Sequence, residues 1–150
     1  MRHDDIEAIK QLKYAYVRLL DLKKFKELGE LLTPNCTASY QDGTLSFEGR
    51  QAIVDFLIGS LGDTANVTAH FVHHPEITFT GDTSAVGIWY LQDRVIARGF
   101  DLDISGTAFY RDEYVRADGS WRFSHTGYER VFEEHRVASS MERKRFTSRF

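Results

Sequence analysis

The spacing of apolar residues changes once along this chain, at Gly62, and that change constrains the fold more than any other feature. Before Gly62, apolar residues recur every three or four positions, as they do on the buried faces of amphipathic helices. This pattern predicts a long first helix over 6–20, a short second helix over 25–32 that Pro34 ends, and a third helix over 52–61.

After Gly62, apolar and polar residues alternate, which is the period of a half-buried strand. Turn dipeptides such as Gly81-Asp82 and Asp118-Gly119 separate most of these segments, so we expect antiparallel pairing. Charged residues dominate 133–150, which we interpret as a terminal helix that fades into a loose basic tail from about 137. Together with a short early strand over 36–40, the alternation predicts strands over 67–73, 75–79, 85–93, 104–115 and 121–132.

Helices that precede strands are typical of an α+β domain, with the helices packed on one face of one curved sheet. At 150 residues, we expect a single domain over 1–150. The net charge of −3 predicts no general affinity for nucleic acid, and the sequence has no apolar run long enough to span a membrane. The charged N-terminus lacks the apolar core of a signal peptide, so we expect a cytoplasmic protein.

Three of the six histidines, His70, His73 and His74, lie in the segment VTAHFVHHPEI. Asp93 ends the predicted strand 85–93, on a face that is otherwise apolar. A histidine and a carboxylate on adjacent strands can form a general base and its orienting partner, or only a buried hydrogen-bonded pair. His73 and His74 precede Pro75, and we expect them to be exposed loop residues. Since the spacing is that of a strand and not of a zinc site, we expect neither a metal nor a cofactor.

Two other polar groups interrupt apolar patterns. Tyr16 and Asp21 are five positions apart, about 140° around a helix, so they converge only if the helix ends or bends just before Asp21. Strict alternation from Trp121 points Arg130 away from the core, unless Gly127 forms a bulge that turns it inward. An inward arginine would bind a carboxylate of the protein or of a substrate.

Aromatic residues make up 13% of the chain, and they either fill the core or line a pocket for a ring-shaped apolar ligand. Cys36 is the one cysteine, which excludes an intrachain disulfide, and we expect a buried, unreactive thiol. The candidates for binding a substrate, each of which could instead be core packing, are Tyr40, Trp89, Tyr110, Tyr114 and His125.

Four segments together resemble the SnoaL-like branch of the NTF2-like superfamily, namely YVRLLDLKKFKELGELLTPN, GRQAIVDFL, TAHFVHHPEI and GTAFYRDEYVRADGSWRFSHTGYERV. Within that branch, the chain is most similar to the scytalone dehydratase and bile-acid 7α-dehydratase group. The resemblance implies an NTF2-like cone, in which one curved, mostly antiparallel sheet packs on three helices. It also implies a catalytic set of Tyr16, Asp21, His70, Asp93 and Arg130.

The implied activity is a cofactor-independent dehydration of a hydroxylated carbonyl compound with an apolar cyclic skeleton. His70 would remove a proton next to the carbonyl, Asp93 would orient the imidazole, and Tyr16 would donate a hydrogen bond to the developing oxyanion. Asp21 would position Tyr16 or water, and Arg130 would hold Asp21 or a substrate carboxylate. The alternatives are an isomerase of the ketosteroid isomerase type and a non-catalytic NTF2-like module for ligand binding or assembly.

The second face of the predicted strand 85–93 is also largely apolar, with Val86, Ile88 and Tyr90. A strand with two apolar faces in a single sheet is typical of a sheet whose outer face is covered. We therefore expect a homo-oligomer, a dimer or a trimer, joined through the outer face of the sheet.

Overall fold

A computed structural model describes residues 2–150 of the chain. Three helices, α1 (His3–Asp21), α2 (Phe25–Gly29) and α3 (Arg50–Leu61), pack on one sheet. None of the described helices is long and apolar enough to cross a membrane. The six strands of the sheet are β1 (Leu32–Tyr40), β2 (Leu45–Glu48), β3 (Asn66–Phe79), β4 (Ser84–Ala97), β5 (Leu102–Ala117) and β6 (Ser120–Val137).

The sheet has the strand order β2-β1-β6-β5-β4-β3. Every neighbouring pair is antiparallel except β1 and β6, which run parallel. The inner face packs against the apolar stripe of α1, where Ile9 and Tyr16 are buried, and large side chains such as Trp89 and Phe123 fill the space between. This is the α+β, mostly antiparallel cone with three helices that the sequence predicts.

The early segments differ from their predicted bounds. The second helix ends at Gly29, not at 32, because Leu32 already pairs with Phe123 of the neighbouring strand. Pro34 lies within β1, where the register with β6 breaks between Leu32 and Thr37. Proline has no N–H group to donate, and it is tolerated here because it has no paired residue on β6. The segment 45–48, for which the sequence predicts no strand, pairs with β1 as the edge strand β2.

The predicted strands 67–73 and 75–79 are one strand, β3, whose register with β4 breaks between His73 and Glu76. His74, at φ 46°, and Pro75 occupy the break, so the chain bends there without leaving the sheet. His73 and His74 are exposed, as predicted, but they belong to a bulged strand and not to a loop.

The predicted terminal helix is wrong, because β6 continues to Val137 in register with Leu102 of β5. Beyond a short 3-10 helix, Ala138–Ser140, residues 141–150 form neither helix nor strand. Arg143 of this segment contacts the buried carboxylate of Asp103 at 2.6 Å.

Several aromatic side chains stand exposed on the outer face of the sheet. Phe71 and Phe132 are more than half exposed, at 56% each, and the ring of Tyr90 lies 4.5 Å from that of Phe109. The homo-oligomer that this face suggests stays a prediction, which light scattering at micromolar concentration would test.

Candidate active site

A cavity of about 340 Å³ lies between the inner face of the sheet and helices α1 and α3. Its wall is mostly apolar and aromatic, and its ionisable groups other than tyrosine come from three strands of the sheet, namely His70 on β3, Asp93 on β4 and three residues of β6. The tyrosine and ionisable side chains of the cavity wall are Tyr16, Tyr40, His70, Asp93, Tyr110, Tyr128, Arg130, Glu133 and His135. The cavity therefore brings together Tyr16, His70, Asp93 and Arg130 from four different elements.

The carboxylate of Asp21 binds His70 at the end of α1. His70 Nδ1 lies 2.6 Å from Asp21 Oδ1, and the backbone N–H of His70 donates to Asp21 Oδ2 over 2.9 Å. Thr68 Oγ1 also donates to Asp21 Oδ1, over 2.8 Å. Asp21 is the last residue of α1, and its side chain contacts β3, whereas Tyr16 of the same helix lines the cavity itself.

These contacts select one tautomer of His70. An ionised carboxylate can only accept hydrogen bonds, so Nδ1 carries a hydrogen, and in the neutral ring the lone pair is then on Nε2. Among residues 2–150, Nε2 has no hydrogen-bond partner, and the His70 side chain lines the cavity. In its neutral form, the ring offers Nε2 as a proton acceptor, with the Asp21 carboxylate at Nδ1 to stabilise the resulting cation.

Asp93 is not the partner of His70, which corrects the pairing expected from the sequence. The two residues do face each other across β3 and β4, but both oxygens of Asp93 bind Arg130. Arg130 Nη1 donates over 2.6 Å and Nη2 over 2.9 Å. A guanidinium fork matches a carboxylate with two parallel bonds, and His70 already has Asp21 at its Nδ1. Arg130 does not bind Asp21, and its side chain is mostly buried.

Arg130 points inward because of a bulge, although not at Gly127. The register between β5 and β6 shifts between Glu113 and Tyr114, where Ser124 is the extra residue on β6. This extra residue reverses the alternation that begins at Trp121 and turns Arg130 into the cavity. Gly127 has a different role, since a Cβ there would lie 2.3 Å from the backbone oxygen of Ser39 on β1.

Three buried tyrosines supply neutral hydrogen-bond donors to the cavity. Burial raises the pKa of Tyr16, Tyr40 and Tyr110 well above the ordinary value of 10.0, so all three keep their hydroxyl hydrogens. The hydroxyls of Tyr16 and Tyr40 are 3.4 Å apart, a long contact that leaves either one available to a ligand. The positions predicted for Tyr40 and Tyr110 are therefore consistent with ligand contact.

The other three predicted binding residues do not line the cavity. Trp89 is fully buried and donates through Nε1 to the hydroxyl of Tyr114 over 2.9 Å. The Tyr114 hydroxyl in turn donates to Asp112 Oδ2 over 2.9 Å, so both aromatic residues belong to the core. His125 shares a 2.7 Å hydrogen bond with Thr37 Oγ1 and lies on the outer side, because the bulge at Ser124 reverses the alternation.

The sequence did not predict a buried ion pair between Lys13 and Asp112. Lys13 Nζ lies 2.7 Å from Asp112 Oδ2, with both side chains fully buried, and 3.2 Å from the centre of the Tyr110 ring. Burial lowers the pKa of Lys13 to about 8, and the charge of Asp112 opposes that shift. The sequence did carry a signal, since Lys13 lies on the apolar stripe of the first helix between Ile9 and Tyr16.

Metal ligands do not cluster in the described part of the chain. Within residues 2–150, no group of three or more His, Cys, Asp or Glu side chains is arranged to hold a metal ion. Burial raises the pKa of the Cys36 thiol to about 12, so the thiol is protonated and unreactive near neutral pH. On the cavity wall, His70 can accept or donate a proton, and the tyrosine hydroxyls can donate hydrogen bonds.

Comparison with solved structures finds the same architecture in proteins of low sequence identity. A candidate scytalone dehydratase from Novosphingobium aromaticivorans is 23% identical, with a TM-score of 0.78 over 87% of this chain and 86% of that one. A type 3 hexachlorocyclohexane dehydrochlorinase from Novosphingobium barchaimii is 17% identical, with a TM-score of 0.79 over 91% and 92%. A candidate aromatic ring hydroxylase from Novosphingobium aromaticivorans is 16% identical, with a TM-score of 0.81 over 94% and 99%.

The chain also matches a protein family over most of its length. The SnoaL-like domain family matches residues 1–127, which include the helices α1 to α3 and the strands β1 to β5. Of the residues discussed above for the cavity, only those on β6 beyond 127 lie outside the matched segment. Because this match covers more than half of the chain, the chain belongs to the SnoaL-like domain family, and the six-stranded cone with its cavity agrees with the fold of the solved structures.

Proposed function

We propose that the protein is a cofactor-independent lyase, a dehydratase of a hydroxylated carbonyl compound with an apolar cyclic skeleton. The observation that carries this proposal is the pair of His70 and Asp21, with Nε2 of His70 free on the wall of an aromatic cavity. A base held in one tautomer by a carboxylate is suited to removing a proton near neutral pH.

The reaction follows from where these groups lie. His70 Nε2 takes the proton from the carbon next to the carbonyl, and the electrons of the broken C–H bond move to the carbonyl oxygen as an enolate. The enolate then re-forms the carbonyl, creates a carbon–carbon double bond and expels the hydroxyl group from the β carbon. The proton on His70 passes to the departing hydroxide, so water leaves and the base is regenerated.

The rest of the cavity would lower the barrier to this step. Tyr16 would donate a hydrogen bond to the enolate oxygen, with Tyr40 or Tyr110 as a second donor, because burial keeps these hydroxyls protonated. Asp21 would stabilise the imidazolium by its charge as the proton arrives. The apolar wall would exclude bulk water, which strengthens each of these electrostatic interactions.

The structural comparisons support a lyase. The names of two neighbours describe loss of water and loss of hydrogen chloride, and both are eliminations in which a proton and a leaving group depart. The dehydratase is the first choice because the tyrosine donors suit a carbonyl oxygen. An isomerase would use the same base but return the proton to carbon, and a binding module would use the cavity alone.

A panel of cyclic β-hydroxy ketones, followed by proton NMR in D₂O, tests the proposal. We expect the wild-type protein to form the α,β-unsaturated ketone, and His70→Gln to reduce the rate by about 10²-fold or more. His73→Gln is the matched control, because His73 lies on the same strand but is exposed. A shifted double bond without loss of water would favour the isomerase. Tight binding without product or hydrogen exchange at carbon would favour the binding module.

A further inference from the structure

We propose that Glu133 makes the cavity selective for uncharged ligands, because it adds a second carboxylate beside Arg130, whose charge Asp93 already balances. The inference names the substrate class of the proposed function and rests on it, although it can be tested by binding alone. It also removes one of the two roles that the sequence suggested for Arg130, that of a receptor for a substrate carboxylate.

Arg130 is the only lysine or arginine that lines the cavity within residues 2–150. Asp93 occupies both of its terminal nitrogens, with contacts of 2.6 Å and 2.9 Å. The remaining nitrogen, Nε, lies 3.0 Å from Glu133 Oε2, which is an ion-pair distance but lacks hydrogen-bond alignment. Two carboxylates thus flank one guanidinium, and the cluster carries one net negative charge.

The guanidinium has little room to leave this position for a ligand. Gly106 lies behind it, and a Cβ at that residue would be 3.2 Å from Arg130 Nη1. The ring of Tyr128 lies on another side, with its centre 5.1 Å from Arg130 Cζ. Although burial opposes its charge, the hydrogen bonds and charge of Asp93 raise the pKa of Arg130, so the cation stays bound to Asp93.

The two carboxylates have different functions in this arrangement. Asp93 is nearly buried, with 5% of its side chain exposed, and it fixes the guanidinium through two bonds. Glu133 is more exposed, at 31%, and its other oxygen contacts His135, which also lines the cavity. Glu133 is therefore the carboxylate that a ligand carboxylate would approach, and repulsion in a poorly screened cavity disfavours that approach.

The experiment measures the affinity of 2-naphthamide and of 2-naphthoate, two ligands of nearly equal shape, by calorimetry at pH 7. We expect wild-type protein to bind the amide about tenfold or more tightly than the carboxylate. Glu133→Gln removes the surplus charge, so the affinity for naphthoate should rise about tenfold while that for naphthamide changes less than about threefold. Glu133→Ala provides the same test if the glutamine variant does not fold.

Glu134→Gln is the matched control, because it makes the same change of charge one residue along, on the outer face of the sheet, where Glu134 pairs with Arg136. We expect it to leave the ratio of the two affinities unchanged. Equal affinities in the wild-type protein, equal effects of the two glutamine variants, or failure of both ligands to bind would each overturn the proposal. If selectivity is present but no panel compound reacts, the selectivity inference stands and only the proposed reaction fails.

Discussion

Two carboxylates inside this fold have similar surroundings but different access to a ligand. Asp112 contacts Lys13 at 2.7 Å and accepts hydrogen bonds from Tyr114 and Thr126, and no part of its side chain or that of Lys13 is exposed. Its partners surround it completely. An ion pair enclosed in this way has no free atom to offer a substrate and can only affect stability.

Asp21 also has three donors, from Thr68 and His70, but one of them, the ring of His70, lines the cavity. The side chain of Asp21 is 26% exposed, and its partner His70 keeps one nitrogen free. The comparison indicates that an ion pair can take part in a reaction only when one of its polar atoms has no protein partner and faces the cavity. We therefore expect the fully buried pair of Lys13 and Asp112 to affect stability, and the pair of Asp21 and His70 to affect catalysis. Variants of each pair can test this division.

The largest expected effect is the loss of activity in His70→Gln. We expect kcat to fall by about 10²- to 10⁴-fold, because no other cavity group can replace a base at this position. The free energy of unfolding should change by less than about 1 kcal/mol, since glutamine can still donate to Asp21. Urea denaturation alongside the product assay separates these quantities, and a loss of stability in proportion to the loss of rate would argue against a catalytic role.

The reverse pattern is expected for Lys13→Met. Removing one partner leaves the Asp112 carboxylate buried without its cation, so the free energy of unfolding should fall by about 3–5 kcal/mol. The kcat of the folded fraction should change by less than about tenfold, because Lys13 does not line the cavity. Lys10→Met, on the same helix but more exposed, is the control for urea denaturation. A stable, inactive Lys13→Met protein would contradict the division.

Asp21→Asn is expected to have an intermediate effect, a decrease in kcat of about 10- to 100-fold. Its amide can present N–H groups to His70 and stabilise the wrong tautomer, and the charge that supports the imidazolium is lost. Asp93→Asn should reduce kcat less, because Asp93 acts on Arg130 and not on His70. Steady-state rates of both variants under saturating substrate decide this, and a larger effect of Asp93→Asn would restore the pairing that the sequence suggested.

The smallest expected effect is a dependence of stability on pH that belongs to the enclosed pair. Burial lowers the pKa of Lys13 to about 8 from 10.5, so the unfolded chain binds more protons than the folded chain between these values. Stability from this group therefore rises with pH through that window, by about 1 kcal/mol below the range where unfolded tyrosines ionise. Urea denaturation at several pH values should show this rise in the wild-type protein and not in Lys13→Met.

The periodicity of the sequence was sufficient for the α+β class and the three helices, because burial on one face is a local property that each helix or strand carries by itself. It placed Tyr16 and Asp93 within otherwise apolar patterns, and the structure has both at the cavity. It did not find the edge strand β2, since a four-residue strand gives too short an alternation to recognise.

Which carboxylate meets His70 was decided only by tertiary structure. Asp21 and Asp93 are both close to it in space, but the choice depends on where α1 ends and on Arg130 already binding Asp93. The direction of Arg130 depends on one extra residue at Ser124, which alternation within a single strand cannot locate. Sequence pattern thus determined which faces are buried, whereas pairing between distant residues depended on the packing of helix against sheet, because hydrogen bonds and ion pairs are decided by distances of a few tenths of an ångström.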